Sequence, residues 1–189
     1  MVGCSVAYFL SRSGAKVTLL EREAIGSGAS AHATGSLSLL GAEFSPGPSF
    51  QLAQAGYHEF PPLVESLQEE TGLDLLFQRR PSLRLALEQE EESLLKSMMP
   101  WQQEAVELRW IEADEVRRVQ PGLTHRVRGA VLESESAQLD SYRLNLALAQ
   151  ASEKRGGRLL LREVTGLLTR QAHVTGVTTS SGDLSADVV

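Results

Sequence analysis

Two patterns near the start of the chain could do chemistry. One is a carboxylate at the end of a short apolar strand: Val17-Thr18-Leu19-Leu20 runs into Glu21. The other is the run that follows, Arg22-Glu23-Ala24-Ile25-Gly26-Ser27-Gly28-Ala29-Ser30-Ala31-His32-Ala33-Thr34-Gly35-Ser36-Leu37. It is built of small side chains with neither a helical nor a strand period, and such a backbone can lie close against a ligand. An acid at a strand tip can hydrogen-bond both hydroxyls of a ribose.

The elements that must position these residues come just before them. Val2-Gly3-Cys4-Ser5-Val6-Ala7-Tyr8-Phe9-Leu10 opens on a glycine and continues as an apolar helix, which Gly14 stops. Helix, strand and acid in that order form the second half of a dinucleotide-binding βαβ unit. A phosphate pair would sit on the helix N-terminus, where free N–H groups and the helix dipole favour negative charge. The full fingerprint needs a preceding strand and G-x-G-x-x-G. Here Gly3 stands as its third glycine, and Glu21 falls roughly 20 residues past the glycines. Taken alone, the half-motif fits an ordinary α/β crossover equally well.

Further along, Leu39-Leu40-Gly41-Ala42-Glu43 leads into the turn cluster Pro46-Gly47-Pro48. Ser49 is placed to cap a helix through Phe50, Leu52, Ala53 and Tyr57, which Pro61 and Pro62 must end or kink. A second helix carries Leu63, Val64 and Leu67 and stops at Gly72, with Glu65, Glu69 and Glu70 on a solvated face. Leu75–Gln78 and Leu83–Leu87 read as a pair of strands around an Arg79-Arg80-Pro81 turn, a charged hairpin tip. Glu88–Pro100 is a helix with acids in its first turns and Met98 and Met99 in the core. Arg109–Ile111 is a strand, Glu112–Val119 a helix, and Val127–Glu133 a strand with Val127, Gly129 and Val131 on one side. Asp140 caps a helix over Ser141–Arg155 that Gly156-Gly157 ends. Strands follow at Arg158–Arg162, Thr165–Thr169 and Val174–Thr179, then a tight turn and a strand over Leu184–Val189. Tyr57, Tyr142 and Arg143 read as helix surface or packing.

Composition bounds the function. The 189 residues carry a net charge of −6, which argues against a nucleic-acid partner, since a polyanion needs a basic face. One cysteine, Cys4, forbids an internal disulfide and fits a reducing compartment, so the expected location is cytoplasmic. No apolar run reaches the roughly 18 residues of a membrane span. His32, His58, His125 and His173 are isolated, and no metal site is expected. The chain starts inside a nucleotide-binding unit and closes on Ala186-Asp187-Val188-Val189, a strand interrupted partway. The expectation is a fragment that lacks its first strand and would be insoluble or molten alone.

From Glu21 to Gly35, and in the closing Gly-Asp-x-x-Ala-Asp-Val-Val, the chain resembles the D-amino-acid oxidase and glycine oxidase superfamily of FAD-dependent oxidoreductases. The resemblance is nearest to glycine oxidase-type members. It implies an α/β fold: an FAD-binding Rossmann-like domain without its first strand, and an inserted α+β substrate domain containing an antiparallel sheet. The FAD-binding domain would comprise residues 1–45 and 138–189, with the substrate domain mainly over 46–137. It also implies oxidation of the C–N bond of a small amino acid or N-methylated amino acid, by hydride transfer to flavin N5. The partners would be that amine or amino acid and oxygen or another electron acceptor.

Carried over residue by residue, Gly3 allows close approach at the helix start, Glu21 binds the adenosine ribose and Arg22 lines the adenine. Ala29, Ser30, Thr34, Gly35 and Ser36 line pyrophosphate and flavin, and the backbone of Val164 meets the adenine. Some relatives bond a histidine at the position of His32 covalently to the flavin. Their neighbouring tryptophan is Ala31 here, which favours a noncovalent loop histidine. The family's carboxylate-binding arginine and tyrosines are expected beyond Val189, so no residue present is assigned as catalytic. Two other classes stay open on the residues alone: a nicotinamide-dependent dehydrogenase, and a noncatalytic nucleotide-binding remnant.

Overall fold

A computed structural model describes residues 1–40 and 46–189; the connection expected through Gly41, Ala42 and Glu43 lies outside the described residues. The elements begin with α1 (Val2–Arg12), β1 (Thr18–Glu21), a 3-10 turn (Ala29–His32), β2 (Ser36–Leu37), α2 (Pro48–Thr71), β3 (Gln78–Arg79) and β4 (Ser82–Ala86). They continue with α3 (Gln89–Gln102), β5 (Leu108–Glu112), α4 (Ala113–Val119), β6 (Gly129–Glu133) and β7 (Ala137–Gln138). The chain closes with α5 (Ser141–Lys154), β8 (Arg158–Leu161), β9 (Val164–Arg170), β10 (His173–Thr179) and β11 (Leu184–Ser185). Two compact units result: Met1–Ala33, Ser66–Leu75 and Ser141–Val189, then Thr34–Glu65 and Leu76–Asp140.

In the first unit α1 buries Cys4, Ala7, Tyr8 and Ser11, and α5 buries Leu144, Ala147, Leu148 and Ala151. The Ser152 hydroxyl joins the two helices by donating to the Ala7 carbonyl at 3.2 Å. Gly14 takes φ +86°, the left-handed stop the sequence calls for. β1 pairs in parallel with β8, and β9, β10 and β11 form an antiparallel sheet. The expected last strand is confined to Leu184–Ser185, which pair with Val177 and Gly176 of β10, with one further bond from Ala186 N to the Thr175 carbonyl at 3.0 Å.

The second unit is built on the antiparallel sheet β4-β6-β5, with one apolar cluster on each face. Leu83, Leu85 and Leu87 share one face as their alternation requires, against Ile111, Val116, Val127 and Ala130. Ala86, Val131 and Leu108 face the other way, against Phe50, Leu95 and Met99. Val127 therefore does not share a side with Val131. It lies before β6 begins, and alternation counts only from Gly129. A smaller sheet, β2-β7-β3, completes the unit.

Several expectations fail for nonlocal reasons. Pro61 and Pro62 do not end a helix, since α2 runs unbroken from Pro48 to Thr71. Each proline removes one intrahelical donor, but Val64 and Leu67 are 2% and 0% exposed just beyond them, and packing of that face carries the helix on. Ser49 is not its cap: the helix already starts at Pro48, where a fixed φ suits the first turn. β3 and β4 are not a hairpin, because β3 pairs with β7 and β4 with β6. Arg79 and Arg80 are tied to the β7 segment, donating to the Glu135 carbonyl and the Gln138 side-chain oxygen. Glu70 is not on a solvated face. It takes two bonds from Arg155, at 3.1 and 2.7 Å, and further bonds from Tyr8 and Ser66. The loop from 22 to 37 is not wholly irregular either, for it contains the 3-10 turn and β2.

Candidate functional site

The first unit assembles the strand-end acid, the helix start and the first part of the loop. Glu21 closes the parallel ladder, opposite Leu161, and its carbonyl accepts from Arg162 N at 2.8 Å. Its Oε1 accepts from Glu23 N at 2.9 Å, while among the described residues Oε2 has no hydrogen-bond partner. A half-buried carboxylate is thus held by one oxygen with the other available. Gly3 sits over this strand, where a Cβ would stand 3.3 Å from Leu19 Cδ1, a tight contact that the leucine methyl would have to yield to by a few tenths of an ångström. Among the described residues no side chain caps α1, and first-turn N–H groups of an uncapped helix can meet an anion. Burial pushes the Cys4 thiol above its ordinary range; the N-terminal amine opposes this and Glu21 adds to it.

The loop is seated on the start of α5. The buried Ser141 hydroxyl donates to the Ser30 and Ala33 carbonyls at 2.7 and 3.1 Å. Gly26, at φ +77°, lies under the Tyr142 ring, where a Cβ would come within 2.9 Å of Cδ2. Ser30 Oγ accepts from the Met1 amine at 3.2 Å, which sets the 3-10 turn beside the start of α1. Ala29 and His32 are exposed on that turn. Arg22 is exposed and ion-paired with Glu23 at 3.0 Å, a pairing worth little at a surface. Val164 opens β9 two residues after Arg162 and is 45% exposed.

Thr34, Gly35 and Ser36 belong to the second unit. The Thr34 carbonyl accepts from Gln138 Nε2 at 2.9 Å, and Ser36 pairs with Gln138 in the β2–β7 ladder. Gly35 has φ +69°, and a Cβ on it would lie 1.8 Å from the Leu139 carbonyl oxygen, so only glycine fits. Sequence reasoning missed Glu133, which is 0% exposed and accepts from Ser38 Oγ at 2.5 Å and Leu39 N at 3.3 Å. Its signal was available: in β6 it shares the inward side of Gly129 and Val131, where an acid is out of pattern. Nearby, the Tyr57 hydroxyl is buried without a hydrogen-bond partner among the described residues. Burial, with the Glu133 charge adding, pushes its pKa to about 12.

The groups fit an anionic dinucleotide. Open helix N–H groups suit phosphate, the free Glu21 oxygen suits sugar hydroxyls, and Gly3 lets strand and helix meet closely. This defines the class: a nucleotide-binding α/β unit whose sequence is interrupted by an antiparallel one. The sequence profile described as FAD dependent oxidoreductase (DAO) matches residues 1–189, and the chain belongs to that family. FAD is the family's cofactor.

The chain is 26% identical over 189 residues to a glycine oxidase of Bacillus licheniformis, covering 99% of this chain and 50% of that protein. It is 32% identical over 192 residues to human mitochondrial dimethylglycine dehydrogenase, covering 98% and 21%. Among solved structures, glycine oxidase from Bacillus cereus superposes with a TM-score of 0.87 at 30% identity, covering 98% of this chain and 52% of that one. The chain thus spans about half the length of the glycine oxidases it matches. No helix among the described residues is long and apolar enough to cross a membrane.

Proposed function

We propose that this chain provides the FAD-holding part of an oxidoreductase that oxidises the C–N bond of a small amino acid or N-methylated amino acid. Bound FAD would supply the electron acceptor at N5 for a hydride from the carbon of the C–N bond being oxidised, with oxygen or another acceptor taking the electrons on. The observation that carries the reading is Glu21, fixed through Oε1 at the end of β1, with Oε2 unpartnered among the described residues.

In this reading the first unit is the FAD-binding body and the second holds the substrate domain. Gly3 and the α1 N-terminus receive the pyrophosphate with Ala29 and Ser30. Arg22 and the Val164 backbone flank the adenine. Thr34, Gly35 and Ser36 lie along the flavin, with His32 near its edge and not bonded to it. No side chain of this chain is assigned as a base, since an uncharged amine needs none.

The test is anaerobic mixing of the yellow holoprotein with glycine, sarcosine and dimethylglycine in turn. Bleaching by at least one of them is expected. A flavin indifferent to every small amino acid would end the substrate reading, and a colourless protein would end the cofactor reading.

A further inference from the structure

We infer that Glu133 is a positioning residue for FAD: its buried carboxylate clamps Ser38 and Leu39 and so holds the Thr34–Ser36 stretch in register. The inference rests on the reading above, in which that stretch lies along the flavin.

The ladder that holds this stretch is short. β2 pairs with β7 over two positions only, Ser36 with Gln138 and Leu37 with Ala137. Its register is pinned beyond that by Gly35, whose carbonyl accepts from Leu139 N at 3.0 Å. On the other side, chain direction after Leu37 depends on Glu133. Its Oε2 takes the Ser38 hydroxyl at 2.5 Å and the Ser82 hydroxyl at 3.5 Å, and Oε1 takes Leu39 N at 3.3 Å. Ser38 Oγ in turn accepts from Leu40 N at 3.1 Å, so one carboxylate orders three consecutive residues. Leu39 and Leu40 are 4% and 5% exposed and belong to the core cluster under the large sheet. Glu133 itself is the last residue of β6, paired to both β4 and β5. The clamp therefore transmits the rigidity of a three-stranded sheet to a loop end that has almost no ladder of its own. Removing the acceptor strands donors that burial keeps from water. A carboxyl serves here because its two oxygens together take three donors.

The test compares Glu133→Ala, Glu133→Gln and Ser38→Ala with the unaltered holoprotein by FAD titration of the apoprotein and by the visible flavin spectrum. For Glu133→Ala we expect FAD to bind about tenfold more weakly, with a displaced and broadened flavin band. Glu133→Gln, which keeps the shape and one acceptor oxygen, should recover most of both. Ser38→Ala should move both readouts in the same direction by a smaller amount. Unchanged affinity and an unchanged band in Glu133→Ala overturn the inference. If that variant does not fold, Ser38→Ala decides alone, and an unchanged band there overturns it. Glu21→Ala measured in parallel separates the two levels: undiminished FAD binding in that variant defeats the underlying reading, whichever way Glu133 behaves.

Discussion

In the second unit apolar side chains close over both faces of one sheet: Ile111, Val116 and Ala130 on one side and Ala86, Leu108 and Val131 on the other are each 5% exposed or less. In the first unit Val2, Val6, Phe9 and Leu10 stand 79, 52, 43 and 46% exposed along α1, and Leu161 and Leu167 are 64 and 58% exposed. The small-residue loop divides between the two, with 22–33 in the first unit and 34–37 in the second. The same loop is thus held in two ways. Its first part depends on polar fixings from α5, its second on the short β2–β7 ladder. A unit with more apolar surface left in water has less stability of its own, so the first unit should gain more from a bound ligand.

The largest expected effect is Gly35→Ala in the second unit. A methyl 1.8 Å from the Leu139 oxygen, at φ +69°, forces the backbone apart, and a loss of about 3–6 kcal/mol in urea unfolding is expected. A loss under about 1 kcal/mol would show that this edge is pliable. Next is a matched pair: Leu148→Ala in α5 and Ile111→Ala in β5, each about 2–5 kcal/mol, at residues 1% exposed. The contrast between the units is sharpened if saturating FAD restores the thermal midpoint of Leu148→Ala more than that of Ile111→Ala, and broken if both recover equally.

The third concerns pH. Hydrogen bonds from Arg155 hold the Glu70 carboxyl below its usual range, aided by Ser66 and Tyr8. A carboxyl depressed in the folded state adds stability above its unfolded pKa, and that stability is lost as pH falls through the folded value. The side chains of Arg155 and Glu70 are 35% and 21% exposed, so only about 1 kcal/mol is expected. Glu70→Gln should flatten the acid limb of the first unit's stability below pH 4.5, and an unaltered slope there would remove this pair from the account. Ser141→Ala should cost about 1 kcal/mol and quicken proteolysis within 22–33, because two loop carbonyls lose their shared donor. The smallest effect is Gly28→Ala. Nothing lies within 4 Å of a Cβ there, and stability should stay within about 0.5 kcal/mol by thermal melting. The pair Gly28 and Gly35 then separates an open loop position from a locked one.

Much of the candidate site was legible beforehand because its signals are local. A helix ending in a left-handed glycine, a strand ending in an acid and a long small-residue run can each be read within a few residues. Helix α3 was equally plain: its acids crowd the first turn, and Glu88 and Glu91 form a reciprocal capping box. Glu133 escaped notice because its three donors lie 51 to 95 residues away in sequence. Glu70 escaped for the same reason, since Arg155 lies 85 residues on.

By itself the sequence determined the type and order of the elements around Glu21, the glycine stops at Gly14 and Gly156, and the alternation of β4, all set by backbone preference and periodicity. Only the tertiary structure decided that β3 turns to β7, that α2 runs on through Pro61 and Pro62, and that Glu133 is buried against Ser38 and Leu39. Those outcomes depend on which distant surfaces meet, and the energy of burying Val64, Leu67 or Glu133 exists only once they have met.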